Sequence, residues 1–318
     1  MLALVTNRED LTADWLVIEL ARRGIPYVRV NSEDFPEHTV LRWENSTAQL
    51  HLATEKVDAA EIDAVWWRRS IAPQLEVADR TPGELTWAFG EALVAWDGFW
   101  QTIDAHWVNH PTANAHADRK PLQLRAARRL GMSIPDTLIT NAPDIAQSFV
   151  TAHPAVICKP LHSGRVRTAA EEHDRLLYTQ TLAEEAIERL DEIGPEPYLF
   201  QRQVPKASDV RVTVIGDAVF ACRITPKDAA AAGIDWRATE LHDLDHRAVA
   251  LPTDLEDACR KLTRTFGLRF SAIDLAVTTG DEYVFFEINP NGQWAWIEQI
   301  TGQPLRAALA DELVRGSR

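Results

Sequence analysis

Cysteine is scarce in this chain: three residues in 318, Cys158, Cys222 and Cys259, odd in number and widely scattered. Without close pairs there is neither a disulfide framework nor a cysteine zinc site, and the thiols are expected to be reduced. Long apolar runs are missing too. Residues 2–5 are apolar, but Asn7, Arg8, Glu9 and Asp10 cut the stretch short. That is too little for a signal peptide or a membrane span, so the expected address is the cytoplasm, with no membrane partner. Basic charge is outweighed, 33 Lys and Arg against 47 Asp and Glu, a net charge of −14. A general nucleic-acid binder needs clustered cations, so nucleic acid is not an expected partner. No GxGxxG follows the first apolar stretch, which argues against a dinucleotide site there.

The 46% hydrophobic and 25% charged content is that of an ordinary globular protein, and the length suits one enzyme of two or three packed subdomains. Residues 2–5, 27–30 and 64–67 read as short strands. Between the first two lies an amphipathic helix that starts at Asp10 or Thr12, runs to Arg23 and stops at Gly24. Farther on, Leu85, Phe89, Leu93, Trp96, Trp100, Ile103 and Trp107 recur at spacings of four and three, the seam of a long helix. The seam is expected to pack on its own domain, with a homodimer interface as the alternative. Eight of the eleven tryptophans precede residue 108, which suits either.

Residues 109–114 read as a polar connection and 118–130 as a helix ended by Gly131, which places a first boundary near residue 108. Residues 155–159 form a strand closed by Pro160, and 171–192 read as largely helical with charged, solvated faces. A strand at 198–204 precedes a hairpin of 210–215 with 218–224 around Gly216-Asp217. The domains expected are 1–108, 109–198 and 199–318.

The stretch 272–292 carries the most chemistry. Two apolar strands flank a turn, and if Gly280-Asp281 are the central pair of a two-residue hairpin, Asp274 faces Glu287. Asn289 then shares their face by the period of two, while Ile273, Leu275, Phe286 and Ile288 project to the other. Two carboxylates and an amide oxygen on apolar strands are costly to bury unpaired, and a hard divalent cation, magnesium with nucleotide phosphates, relieves that cost. A surface hairpin with two solvated acids is the plainer alternative.

A phosphoryl-transfer site also needs cations. Lys159 closes the strand at 155–159. Lys120 stands at a helix start, where a cation opposes the helix dipole unless an anion is near. Arg211 and Arg223 fall on opposite faces of the second hairpin, so at most one reaches a nucleotide and the other is left for substrate. Arg237, after Asp235-Trp236, could brace a phosphoryl group or a carboxylate with its bidentate fork.

In order, Lys120, Lys159, the segment Phe200-Gln201-Arg202-Gln203-Val204, Asp209-Val210-Arg211, Asp235-Trp236-Arg237, Asp274 and Glu287-Ile288-Asn289 resemble the ATP-grasp superfamily. Within it, Val65-Trp66-Trp67-Arg68-Arg69, Asn109-His110-Pro111 and residues 287–294 look like the graspetide ligases that mature microviridin-type ribosomal peptides. The resemblance implies an α/β fold of α+β subdomains, an ATP-grasp fold behind an N-terminal α/β pre-ATP-grasp domain.

It further implies that Lys120 and Lys159 grip ATP phosphates, that Gln201, Arg202, Gln203 and Val204 line the adenine, and that Asp274, Glu287 and Asn289 hold magnesium, Glu287 bridging two ions. Arg211, Arg223 and Arg237 are the expected catalytic arginines. The implied partner is a precursor peptide with a leader and an acidic core, whose Asp or Glu side chain is phosphorylated and then attacked by a Ser or Thr hydroxyl or a Lys amine. A homodimer is implied as well. The loop after Lys159 departs from the family in carrying a single glycine, Gly164, beside Arg165 and Arg167, which leaves its phosphate-lid contacts open. An amino-acid ligase of the ribosomal-protein-modifying type and a non-catalytic ATP-binding scaffold are the competing readings.

Overall fold

The computed structural model describes residues 1–76, 80–161, 165–166, 175–176, 179–228 and 235–316. Strand β1 (Leu2–Thr6) is buried along its whole length. Helix α1 (Leu11–Arg23) begins where the Asp10 carboxylate accepts from the Thr12 N–H and ends at Gly24, whose φ of 65° only glycine adopts without a Cβ penalty. Strand β2 (Tyr27–Asn31) lies parallel beside β1.

Three strands the sequence did not predict follow, β3 (Val40–Glu44), β4 (Thr47–His51) and β5 (Lys56–Asp58), forming an antiparallel sheet. Strand β3 is largely exposed, so it shows no apolar alternation to read. Strand β6 (Ala64–Trp67), helix α2 (Pro82–Gln101) and strand β7 (His106–Val108) complete a four-stranded parallel sheet of order β2-β1-β6-β7.

The seam of α2 is only half buried within the chain. Trp96 and Trp100 are buried, and Phe35 stacks on Trp96 with ring centroids 5.1 Å apart. Phe89 is 38% exposed, and Trp87 and Val94 beside the seam are 69% and 73% exposed. The helix also stops at Gln101, so Ile103 lies beyond it and Trp107 sits on β7.

Residues 109–114 are not simply a connection: helix α3 (Pro111–Ala117) starts within them. Helix α4 (Lys120–Arg129) then runs to a left-handed Gly131. Strand β8 (Thr137–Thr140), helix α5 (Pro143–Ala152), strand β9 (Val156–Lys159), the short strands β10 (Arg165–Val166), β11 (Arg175–Leu176) and β12 (Gln180–Thr181), helix α6 (Glu184–Glu188) and strand β13 (Tyr198–Arg202) follow. They build a sheet of order β12-β9-β13-β8 and a separate β10-β11 pair. The helix expected over 171–192 is therefore short. Arg175–Leu176 and Gln180–Thr181 are strands, 171–174 and 177–178 lie outside the described residues, and α6 begins only at Glu184.

The last sheet contains β14 (Lys206–Ile215), β15 (Ala218–Pro226), β16 (Leu244–Val249), β17 (Phe270–Thr278) and β18 (Tyr283–Asn289), in the order β16-β15-β14-β17-β18. Helix α7 (Thr253–Thr265) precedes β17; helices α8 (Ala295–Thr301) and α9 (Leu305–Arg315) end the chain. Val210, Val212, Val214, Ile273, Leu275 and Phe285 pack with Leu124 of α4 and Leu262 of α7 in one core. Helix α9 returns to pack on α1, and Leu305, Leu309 and Leu313 join Leu16 and Leu20 in a second core.

All three cysteines are free thiols. Burial pushes Cys222 up to about 11 and Cys259 up to about 12, so both stay protonated at neutral pH. Among the described residues no helix is long and apolar enough to cross a membrane.

Candidate functional site

The site is built on the pairing of β17 with β18. Near the turn, Val277 faces Tyr283, Ala276 faces Val284 and Leu275 faces Phe285; beyond a bulge, Asp274 faces Glu287, Ile273 faces Ile288 and Ala272 faces Asn289. Phe286 is the extra residue of that bulge. The turn spans more than Gly280-Asp281: the Thr278 N–H donates to the Glu282 carbonyl, and Asp281 takes a φ of 59°. Asp274 thus meets Glu287 as predicted, through a different turn plus a bulge. The face expected for Phe286 is corrected. Phe285 enters the core, while Phe286 lines the cavity with its ring 6.0 Å from each of the Lys159 and Lys206 ammonium groups.

Both carboxylates are matched by cations. Arg211, opposite Asp274 on β14, grips it with a fork of 2.6 and 3.2 Å. One oxygen of Glu287 pairs with Lys120 and the other accepts from Arg237 at 3.4 Å. Arg237 is itself held by Asp235 through two bonds of 2.8 Å. Burial works to raise Glu287, but Lys120, Arg237 and Lys159 outweigh it and hold the carboxyl well below the usual carboxylate range. Burial raises Asp274, with Arg211 opposing and Glu287 adding. Lys159, pressed by burial and by the nearby cations against the pull of Glu287, falls to about 8. The cation at the start of α4 therefore has its anion within the chain: Glu287 offsets the conflict of Lys120 with the helix dipole.

A cavity opens between the β9-β13 sheet and the β14-β17-β18 sheet, lined by Ile157, Lys159 and Gln201 from the first and by Asp209, Asp274 and Glu287 from the second. Strand β13 ends at Arg202, so Gln203 and Val204, expected on the strand, lie in the link to β14 and line the cavity from there. Gln203 accepts from the Thr181 hydroxyl at 3.2 Å. Arg202 also lines the cavity, and its guanidinium reaches Asp136 at 3.3 Å. Gln201 faces Ile157 on one side and Thr137 on the other, and its Nε2 donates to the Thr137 Oγ1 at 2.9 Å. Its Oε1 is buried with no hydrogen-bond partner among the described residues.

Four expected members do not line the cavity: Lys120 and Arg211 are joined to it through Glu287 and Asp274, and Arg223 and Asn289 stand apart. Arg223 faces Val210, out of phase with Arg211, which faces Cys222, and it is not among the cavity-lining residues. Asn289 lies two residues past Glu287, and its Oδ1 accepts from the Asn291 N–H at 2.8 Å, leaving one lone pair for another partner. Arg167 falls outside the described residues. Among the described residues no three His, Cys, Asp or Glu side chains cluster to hold a metal, so an ion here would rest on Asp274, Glu287, the Asn289 amide and ligand oxygens.

Several residues that shape the site carried no assigned role in the sequence analysis. Lys206 pairs with Asp209 at 2.6 Å beside Phe286 and Arg237, and burial pushes Asp209 up to about 6 against that pairing. Asn109 ties the start of β17 to the residue just past β18, donating to the Phe270 and Pro290 carbonyls at 2.9 and 3.2 Å and accepting from the Arg269 and Phe270 N–H groups at 2.8 Å. Gln123, one turn after Lys120, exchanges hydrogen bonds with the Ile288 backbone at 2.9 and 3.3 Å and so docks α4 on the edge of β18. The i, i+3 spacing of Lys206 and Asp209 was the one local signal among these; the other contacts are long-range.

Two facing sheets with a charged cavity between them, behind a parallel α/β domain, define the ATP-grasp class. The family model of the MvdD pre-ATP grasp domain matches residues 1–115. Among solved structures, the chain is similar to the macrocyclase MdnC bound with precursor peptide MdnA from Microcystis aeruginosa MRC, at 26% identity over 99% of each chain with a TM-score of 0.88. It is similar to a Chryseobacterium gregarium RiPP-associated ATP-grasp ligase in complex with ADP and a leader and core peptide, at 26% identity over 100% of this chain and 97% of that one, TM-score 0.90. The macrocyclase MdnB from Microcystis aeruginosa MRC matches at 28% identity over 98% of both chains, TM-score 0.81. A comparison with curated proteins found no match. The chain has the ATP-grasp fold with an MvdD-type pre-ATP-grasp domain, and RiPP ATP-grasp enzymes are among its structural neighbours.

Proposed function

We propose that the chain is an ATP-dependent peptide ligase that activates Asp or Glu side chains of a ribosomal precursor as acyl phosphates and joins them to Ser or Thr hydroxyls or Lys amines within the same peptide. The observation that carries this reading is the Asp274–Glu287 pair, set in a cavity with Lys159, Lys206 and Arg237 and bonded to Arg211 and Lys120. A carboxylate is a poor electrophile until one oxygen becomes a leaving group, and phosphoryl transfer asks a protein mainly for positioning and charge neutralisation.

The residues fit a nucleotide with its metal. The Asp274 and Glu287 carboxylates and the Asn289 amide would hold magnesium, which neutralises phosphate charge and aligns the terminal phosphoryl group. The two Glu287 oxygens have separate cation partners, Lys120 and Arg237, an arrangement suited to bridging two ions. Lys120 and Arg237, which share Glu287, would grip phosphate oxygens together with Lys159 once a metal took up that carboxylate. Gln201, Gln203 and Val204 would line the base. Arg211 lies 5.4 Å from the Trp236 ring centroid with its fork on Asp274, and its remaining terminal N–H groups would be the ones to meet a peptide carboxylate. The leader, bound away from the reacting groups, would supply binding energy that holds the two ends of the ring together.

The test is ADP release with an acidic, Ser- and Thr-bearing precursor carrying its leader. Precursor-dependent ADP formation is expected, slowed when the leader is removed. Tight MgATP binding with no turnover on any such peptide would point to the scaffold reading instead.

A further inference from the structure

We propose that Arg68, from the N-terminal domain, is a positioning residue for the metal-bearing end of β18 and for Arg211; the inference rests on the ligase reading above. Arg68 follows directly on β6 and is 1% exposed. Its Nε donates to the Asp10 carboxylate at 2.8 Å, and both terminal nitrogens reach one loop: the Gly292 and Asn291 carbonyls at 3.0 and 3.3 Å and the Gln293 Oε1 at 2.7 Å.

The anchoring side is rigid. Asp10 caps α1 through the Thr12 N–H at 3.1 Å and accepts from the Thr6 hydroxyl at 2.9 Å, so the fork is fixed by β1, α1 and β6 together. The receiving side touches the site at three points. Asn291 donates its N–H to the Asn289 Oδ1. The Gln293 carbonyl accepts from Arg211 at 3.4 Å. Gly292 lies against Ala272, the residue opposite Asn289, so closely that a Cβ there would overlap the Ala272 side chain.

A buried ion pair is a poor adhesive between domains, because apolar residues of similar size do as well or better. What arginine adds is a planar fork that fixes the direction of the carbonyls it binds. Here those carbonyls belong to the loop that sets the Asn289 amide and one nitrogen of Arg211. The Val65-Trp66-Trp67-Arg68-Arg69 segment thereby acts on the ligase site through a single side chain.

The experiment measures ADP binding by calorimetry with and without Mg2+, alongside the melting temperature, for the full chain and for Arg68→Lys and Gln293→Met. Misaimed outer groups typically weaken metal binding by 10- to 100-fold. The enhancement of ADP affinity by Mg2+ is therefore expected to fall about tenfold or more in both variants, with metal-free ADP affinity unchanged. Should Arg68→Lys fail to fold, Gln293→Met decides alone, since it keeps the Arg68–Asp10 pair. Full enhancement in the folded variants, whatever the change in melting temperature, would make the clamp structural only and overturn the inference while leaving the ligase reading intact. A wild-type chain whose ADP affinity ignores Mg2+ would overturn both.

Discussion

Asp274 and Glu287 face each other across β17 and β18 although the pairing nearest the turn would carry Asp274 to Phe286. The extra residue in β18 restores the carboxylate pair and in the same step places an aromatic ring among the lysines. One bulge therefore shapes both the acidic and the apolar part of the site.

Replacing Glu287 by Gln keeps the size and removes one charge. ATP turnover is expected to fall on the order of 100-fold or more in a chain that still folds, with a lowered melting temperature because Lys120 and Arg237 lose their buried carboxylate while the apolar cores are untouched. Steady-state ADP release with a circular-dichroism melt checks it, and near-normal turnover would remove Glu287 from the site.

Phe286→Ala leaves Asp274 opposite Glu287 but removes the ring beside Lys159 and Lys206. ATP affinity should weaken by roughly five- to tenfold, the scale of one ring's stacking and cation contacts, with its magnesium dependence retained. A titration in which magnesium dependence is lost as well would mean that the bulge sets the carboxylate geometry through the ring.

Gln201 has a fixed amide orientation. The Thr137 hydroxyl donates to the Pro135 carbonyl at 2.8 Å, so toward Gln201 it can only accept, and the Nε2 must face it. The remaining Oε1 is an acceptor suited to the 6-amino group of adenine and opposed to the 6-oxo group of hypoxanthine. The chain should prefer ATP over ITP, and Gln201→Leu should shrink that preference about tenfold. Competition binding measures the ratio; an unchanged ratio would place the base elsewhere.

Acid stability should depend on Glu19. Bonding to Arg22, against the opposing effect of burial and aided by Arg23, lowers this carboxyl to about 2 from 4.5. A depressed carboxylate contributes stability above its unfolded pKa and loses it as pH falls toward the folded value, here between about 5 and 2. The contribution is on the order of 2 kcal/mol, reduced by the exposure of Arg22. Denaturant melts of wild type and Glu19→Gln should differ at pH 7 and converge near pH 2; a constant gap would contradict this.

Much of the frame was legible because local chemistry and tertiary structure agree. Asp10 and Gly24 bound α1, Gly216-Asp217 sets the β14-β15 register with Arg211 facing Cys222, and the 64–67 strand joins the parallel sheet. Where the sequence misled, nonlocal geometry had decided. A hairpin register drawn from Gly280-Asp281 and a straight β18 contains two errors of one residue that cancel at Asp274 but exchange the faces of Phe285 and Phe286. Strand β3 has little buried surface to impose a period, and α2 carries its seam past what its own domain covers. The clamps by Asn109, Gln123 and Arg68 join residues more than 150 positions apart, a distance at which no spacing rule operates.

The central claim is tested most directly by the mass of a leader-bearing acidic precursor after incubation with the chain and MgATP. Loss of one water per ring, accompanied by ADP, is the predicted result. An unchanged mass despite ATP binding, or a gain equal to an added amino acid, would contradict it.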